Sequence, residues 1–207
     1  MSKNIKVSFI GSGNIAPFHI RALKVNKFKI ISFYSRNLAK AKKFSFKNNI
    51  VQPSNTFSNF LKNSKNCDMF VIVVKTEAIA KYLNKIYKLD KFVFIEKPGS
   101  LFYKKLQKFS QNKKIYIGYN RRFYKNKFKL KKIVKKVKSF NAIINITESS
   151  VNRAKIIKLN SVHVFDICFF LFGHLDVISF KKSKDTRSIK NFTVDLEDKN
   201  QNRITIN

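Results

Sequence analysis

"KVSFIGSGNIA", Lys6 to Ala16, sets a short run of strand-forming residues directly against two glycines and then a segment, Ile15 to Val25, that reads as a helix. In that arrangement Gly11 allows a tight turn and Gly13 lets another group come close to the backbone. Ala16, the third small position, permits close packing of helix on strand. A helix opening in this way offers unpaired N–H groups and the positive end of its dipole to a pyrophosphate. The glycines alone would read as a turn. Between a strand and a helix they predict a dinucleotide-binding unit.

Outward from this stretch the alternation continues. Phe28–Tyr34 reads as a strand, Leu38–Lys47 as a helix, Ile50 and Val51 as a short strand ended by Pro53, and Thr56–Lys62 as a short helix. Asp68–Val74 is a continuous apolar run of the length expected of a strand covered on both faces. Glu77–Tyr87 follows as a helix, Phe92–Ile95 as a strand, Ser100–Asn112 as a helix and Ile115–Tyr119 as a strand. This rhythm predicts an α/β fold, with a Rossmann-type doubly wound parallel sheet over residues 1–120.

From residue 121 the rhythm changes. In Arg121–Lys138 the residues Leu130, Ile133, Val134 and Val137 follow helical spacing, which predicts a buried face with the lysines in solvent. A strand Phe140–Thr147 comes next, then a helix from Ser161 to Phe172 stopped by Gly173. Val177–Lys182, Phe192–Leu196 and Arg203–Ile206 read as strands. Residues 121–207 are therefore expected to form a shortened α+β domain with a mostly antiparallel sheet.

Composition narrows the function classes. The 207 residues are 44% hydrophobic, enough for a substantial core. The longest apolar runs, Met69–Val74 and Ile167–Phe172, fall far short of the ~20 residues of a spanning helix, so no membrane span is expected. The first residues lead straight into a strand without a secretory pattern, making the cytoplasm the expected compartment. Cys67 and Cys168 border apolar runs in no metal-ligand spacing and read as buried thiols, and no metal site is expected. The net charge of +33 would attract phosphate backbones. Its excess is nearly all lysine, spread end to end with abundant Asn, Ile and Phe, a pattern that coding bias explains equally well. Contact with nucleic acid is expected only non-specifically.

Several residues could carry chemistry. After the second strand, Ser35 and Arg36 stand where an acidic residue would hold a bare ribose, and a guanidinium fork suits a 2′-phosphate. NADP(H) is thus favoured as cofactor, with NAD(H) as the alternative. Lys97 ends the strand Phe92–Ile95 between Glu96 and Pro98, on the rim where such sheets bind ligands. Pro98 restricts Lys97 to extended geometry, and an ammonium there would favour a developing alkoxide. Glu96 could fix the backbone or contact the cofactor. His163 and Asp166, three apart on a helix that Asn160 or Ser161 could cap, form either a proton-accepting site or a structural pair. His19 reads as packing on a helix face.

Together these pieces resemble the Gfo/Idh/MocA family of glucose-fructose oxidoreductase and inositol dehydrogenase relatives. The resemblance runs through "GSGNIAPFH", the Ser35–Arg36 pair, "VIVVKTEA", "FVFIEKP", "IGYNRRF" and "SVHVFDICFFLFG". It implies cofactor contacts from Gly11, Gly13, Asn14, Ile15, Ser35, Arg36, Lys75 and Glu96. It also implies an active-site lysine in Lys97, an acid/base histidine in His163, and substrate contacts from Lys97, Asn120, Arg121, Asn160 and His163. The reaction implied is hydride transfer between nicotinamide and a CH–OH carbon of a sugar, nucleotide sugar or cyclitol. Leu159 stands where many members carry an aspartate, "VKTEAIA" lacks a usual proline and histidine, and the stretch after Asn120 is short for the family's open-sheet domain. That domain tends to supply the oligomer interface, so shortening it weakens the expectation of a homo-oligomer.

Two other readings compete. One is a catalytically weak or inactive member acting as a nucleotide-binding partner or sensor. The other is a basic, nucleic-acid-associated protein.

Overall fold

In the computed structural model of the chain, residues 4–146, 161–182 and 192–207 are described. The chain forms two compact units, Met1–Gly118 and Tyr119–Asn207.

The first unit holds a sheet of five parallel strands: β1 (Lys6–Ile10), β2 (Lys29–Tyr34), β3 (Met69–Ile72), β4 (Phe92–Ile95) and β5 (Ile115–Ile117), in the order β2-β1-β3-β4-β5. Helices α1 (Ala16–Val25), α2 (Leu38–Lys47), α3 (Phe57–Asn63), α4 (Thr76–Ile86) and α5 (Lys104–Gln107) connect them. The apolar strand residues divide between two clusters because successive side chains point to opposite faces. One gathers Val7, Phe9, Ala16, Ile20, Phe33 and Val71 around α1 and α2. The other gathers Ile10, Phe60, Phe70, Ile72, Leu83 and Ile95 around α3 and α4. Helices on both faces of a parallel sheet make this unit Rossmann-like, as the alternation predicts.

Local chemistry sets several helix starts. Asn37 accepts a hydrogen bond from the Lys40 N–H at 2.9 Å and caps α2, and Thr56 does the same for α3 through the Asn59 N–H at 3.1 Å.

Three expectations need correction here. Ile50 and Val51 form no strand; the outer edge of β2 carries instead a single parallel bridge between Phe33 and Pro53. Proline has no N–H to extend a ladder, and the hydrogen bond falls to the Ser54 N–H, 2.8 Å from the Phe33 carbonyl. Ser100–Asn112 is α-helical only over Lys104–Gln107, with three-residue turns such as Lys105 N–H to Phe102 and Phe109 N–H to Leu106 on either side. Only Leu106 and Phe109 of this segment join the core, too little to hold a long helix. The long helix read into Arg121–Lys138 is a short 3₁₀ turn, Asn120–Phe123, followed by α6 (Lys125–Val134). Its predicted core face is not buried: Leu130, Ile133 and Val137 are exposed.

The second unit contains α6, α7 (Val162–Phe172) and a four-stranded sheet of β6 (Asn141–Ile144), β7 (Asp176–Lys182), β8 (Phe192–Glu197) and β9 (Arg203–Ile206). The order is β6-β9-β8-β7, antiparallel except for the parallel pair β6 and β9. One face of it, carrying Val194, Leu196, Ile204 and Ile206, packs with Cys168, Phe165 and Phe172 of α7. Against α6, the contacts run instead through Phe128 and Lys131: the Phe128 ring meets Phe170 edge-on at 5.5 Å, and the Lys131 ammonium lies 4.0 Å from the same ring. Both cysteines are buried free thiols, as expected. Among the described residues no helix is long and apolar enough to cross a membrane.

Candidate active site

The parallel register aligns the carboxyl ends of the first four strands. Ile10 pairs with both Tyr34 and Ile72, and Ile72 pairs with Ile95. Gly11, Ser35, Lys75, Glu96 and Lys97 therefore leave the sheet on one edge, around the switch point between β1 and β3 where doubly wound sheets take ligands.

Gly11 serves the turn. Its φ is +121° and its N–H donates to the Tyr34 carbonyl at 2.9 Å. A Cβ there would lie 1.9 Å from the Val73 carbonyl oxygen, so no other residue fits. Gly13 is the opposite case: among the described residues nothing lies within 4 Å of where its Cβ would be. Gly13, Asn14 and Ile15 are exposed, and Ile15 at the N-cap of α1 gives the first turn no side-chain hydrogen bond. The first turn of α1 carries no acidic residue either. An open backbone beside a helix start without a competing side chain fits a phosphate group.

Ser35 reaches back to this loop, its Oγ 2.8 Å from the Oγ of Ser12. Arg36 follows, exposed, and no carboxylate occurs between Lys29 and Lys40. Lys75, also exposed, is the N-cap residue of α4.

Glu96 holds the Lys97 turn at several points. The Glu96 N–H donates to the Ile72 carbonyl at 3.1 Å, and its own carbonyl accepts from the Gly99 N–H at 3.0 Å. Carboxylate Oε2 accepts the Lys97 N–H at 3.0 Å, while Oε1 lies 2.6 Å from Nε2 of His19. The peptide bond between Lys97 and Pro98 is cis. The His19 ring also packs 5.4 Å from Phe94 and lines a cavity of about 160 Å³ with Leu23, Phe28, Met69 and Val71. His19 is thus more than packing on a helix face. Its link to Glu96 spans 77 positions of sequence, and helical spacing carried no sign of it.

In the second unit, Asn120 and Arg121 are exposed within the 3₁₀ turn. The neighbouring Arg122, which the sequence did not single out, makes the firm contact: its guanidinium engages both carboxylate oxygens of Asp166, with Nε to Oδ2 at 3.0 Å. That hydrogen bond raises the Arg122 pKa. His163 is 5% exposed and meets the Tyr119 ring edge-on at 6.2 Å. Burial, and then the charge of Asp166, raises the Tyr119 phenol. Asp166, one turn along the helix from His163, is therefore engaged by an arginine. Ser161 stands at the N-cap of α7 but makes no side-chain cap, and Asn160 lies outside the described residues.

The family described as "Oxidoreductase family, NAD-binding Rossmann fold" matches residues 5–116. The chain belongs to the Gfo/Idh/MocA oxidoreductase family. Solved structures similar to this Gfo/Idh/MocA chain include the WlbA dehydrogenase of Bordetella pertussis in complex with NADH and UDP-GlcNAcA, with a TM-score of 0.81 at 14% identity over 99% of this chain and 72% of that one. The myo-inositol dehydrogenase of Lactobacillus casei, in complex with NAD(H) and myo-inositol, gives 0.79 at 18% identity over 98% of this chain and 66% of its own. An Agrobacterium radiobacter oxidoreductase in complex with NAD⁺, L-tartaric acid and magnesium gives 0.83 at 13% identity over 99% of this chain and 66% of its own. At these identities the likeness is one of fold. The chain spans 66 to 72% of the length of these structures. No curated protein matches it.

Proposed function

We propose that this Gfo/Idh/MocA chain is an NADP(H)-dependent oxidoreductase acting on a CH–OH carbon of a sugar, nucleotide sugar or cyclitol. The observation that carries the reading is one sheet edge bearing both the open Gly13 loop at the start of α1 and the pinned Glu96–Lys97 turn. Gly13, Asn14 and Ile15 would hold the pyrophosphate with backbone N–H groups. Ser35 and Arg36 would take the adenosine end, where the absence of a carboxylate and the presence of a guanidinium favour a 2′-phosphate. Bound nicotinamide supplies or accepts the hydride. The Lys97 ammonium favours negative charge developing on the substrate oxygen, and His163 exchanges the hydroxyl proton. Asn120 and Arg121, both exposed, offer hydrogen bonds and charge to the substrate. A net charge of +33 suits an acidic substrate, so a nucleotide sugar is the first choice. The UDP-GlcNAcA and myo-inositol held by two similar structures support this substrate range.

Fluorescence titration of NADPH and NADH at moderate salt tests the cofactor. Saturable binding, tighter for NADPH and lost in Gly13→Val, is expected; no saturable binding of either dinucleotide would sink the reading. Lys97→Met should keep dinucleotide binding and abolish turnover on nucleotide sugars.

A further inference from the structure

We infer that His19 is a positioning residue for Lys97, acting through Glu96, and that it ties the nucleotide-binding helix to the catalytic turn. The inference rests on the role proposed above for Lys97. Glu96 has two carboxylate oxygens and both are committed: Oε1 to His19 Nε2 at 2.6 Å, and Oε2 to the Lys97 N–H at 3.0 Å. A carboxylate only accepts, so the imidazole proton sits on Nε2 and points at Glu96. The Glu96 and His19 side chains are only 17% and 21% exposed, and a charge-assisted hydrogen bond in such surroundings outweighs one in open water.

The mechanical consequence follows from where the two ends lie. His19 belongs to α1, whose first turn is proposed above to cradle the phosphates. Glu96 is hydrogen-bonded through its own backbone to Ile72 of β3 and to Gly99, so its carboxylate has little freedom except about its side-chain torsions. The His19 ring is backed by Phe94 and by the apolar cavity wall, which leaves Glu96 to set its orientation. A small shift of α1 on nucleotide docking thus reaches the Lys97 amide through one carboxylate. Losing the imidazole frees that carboxylate to rotate and slackens the Lys97 backbone. A misplacement of about 1 Å at a reacting group costs on the order of 10²-fold in rate.

Glu96–Lys97 is the only Glu-Lys step in the sequence, so labelling glutamate with carbonyl ¹³C and lysine with ¹⁵N isolates the Lys97 amide as one NMR cross-peak. An N–H donated to a carboxylate resonates downfield. In nucleotide-free protein, His19→Phe, which keeps the ring and its packing but no donor, should move that peak upfield. His19→Gln, which restores a donor, should return it towards the wild-type position. Should His19→Phe not fold, His19→Ala answers the same question. The wild-type peak should also shift on NADPH addition. In turnover, His19→Phe should lower kcat about 10²-fold with little change in the KM for the dinucleotide, and His19→Gln should recover most of it. An unmoved Lys97 peak in His19→Phe overturns the inference, as does failure of His19→Gln to restore it. If the wild type binds no dinucleotide, the proposed function fails, yet the peak positions in nucleotide-free protein still decide whether His19 positions Lys97.

Discussion

Arg122 and Asp166 lock the 3₁₀ turn Asn120–Phe123 onto α7 by a two-point contact, in which guanidinium and carboxylate lie 44 positions apart in sequence. The same guanidinium stands 6.0 Å from the Tyr119 ring and 5.9 Å from the Phe170 ring. The carboxylate is the deeply buried partner, with a side-chain exposure of 6% against 35% for Arg122. Removing the arginine would strand a buried charge, whereas removing both partners would not. Arg122→Ala should therefore lower stability by about 2–3 kcal/mol, the low end for a broken buried pair because the arginine is partly in solvent. Arg122→Lys, which keeps the charge and loses the fork, should lose about half as much. Urea unfolding followed by circular dichroism measures both.

Gly11 and Gly13 should separate folding from binding. Gly11→Ala puts a Cβ against the Val73 carbonyl at a positive φ, and should cost at least about 3 kcal/mol or prevent folding. Gly13→Ala meets no atom of the described residues and should leave the thermal midpoint nearly unchanged, weakening dinucleotide binding instead. Parallel thermal scans and fluorescence titrations read the two effects.

Asp195 gives a pH signature. Hydrogen bonds from the Ser179 hydroxyl at 2.7 Å and the Thr205 hydroxyl at 2.8 Å hold its carboxyl below the usual range. A depressed folded-state pKa means that the contribution is complete above about pH 4 and fades as pH falls through the folded value. Thr205→Val should accordingly lower Tm at neutral pH, with the gap to wild type closing on acidification below about pH 4. A constant gap would show that Thr205 acts by packing alone.

The two thiols should be inert in the native state. Burial pushes the Cys168 thiol up to about 12 and raises that of Cys67 as well. Little thiolate then exists near pH 8, and access is blocked. Ellman's reagent should report both thiols only after denaturant is added.

Asn37 caps α2 through the Lys40 N–H. Asn37→Ala should cost about 1 kcal/mol, measurable as a lower urea midpoint.

Much of the fold was legible in the sequence because its elements are dictated locally. Leu38–Lys47 is bounded by an asparagine cap, Phe92–Ile95 by apolar patterning and a proline, and the glycine loop by its strand and helix. Reading failed where tertiary partners decide. The spacing of Leu130, Ile133 and Val137 is that of a buried face, yet α6 meets α7 through Phe128 and Lys131, because Phe170 of α7 offers an aromatic surface to a ring and a cation. Ser100–Asn112 has helical composition but too few residues that reach the core.

The candidate site divides in the same way. Gly11, Gly13, Lys97 and the sheet edge follow from sequence alone, since each depends on a residue's own backbone or on the strand before it. The pairs His19–Glu96, Ser12–Ser35 and Arg122–Asp166 do not. Each joins polar side chains from distant segments, and such a partner is chosen by which groups the folded chain buries together, a choice no local pattern records.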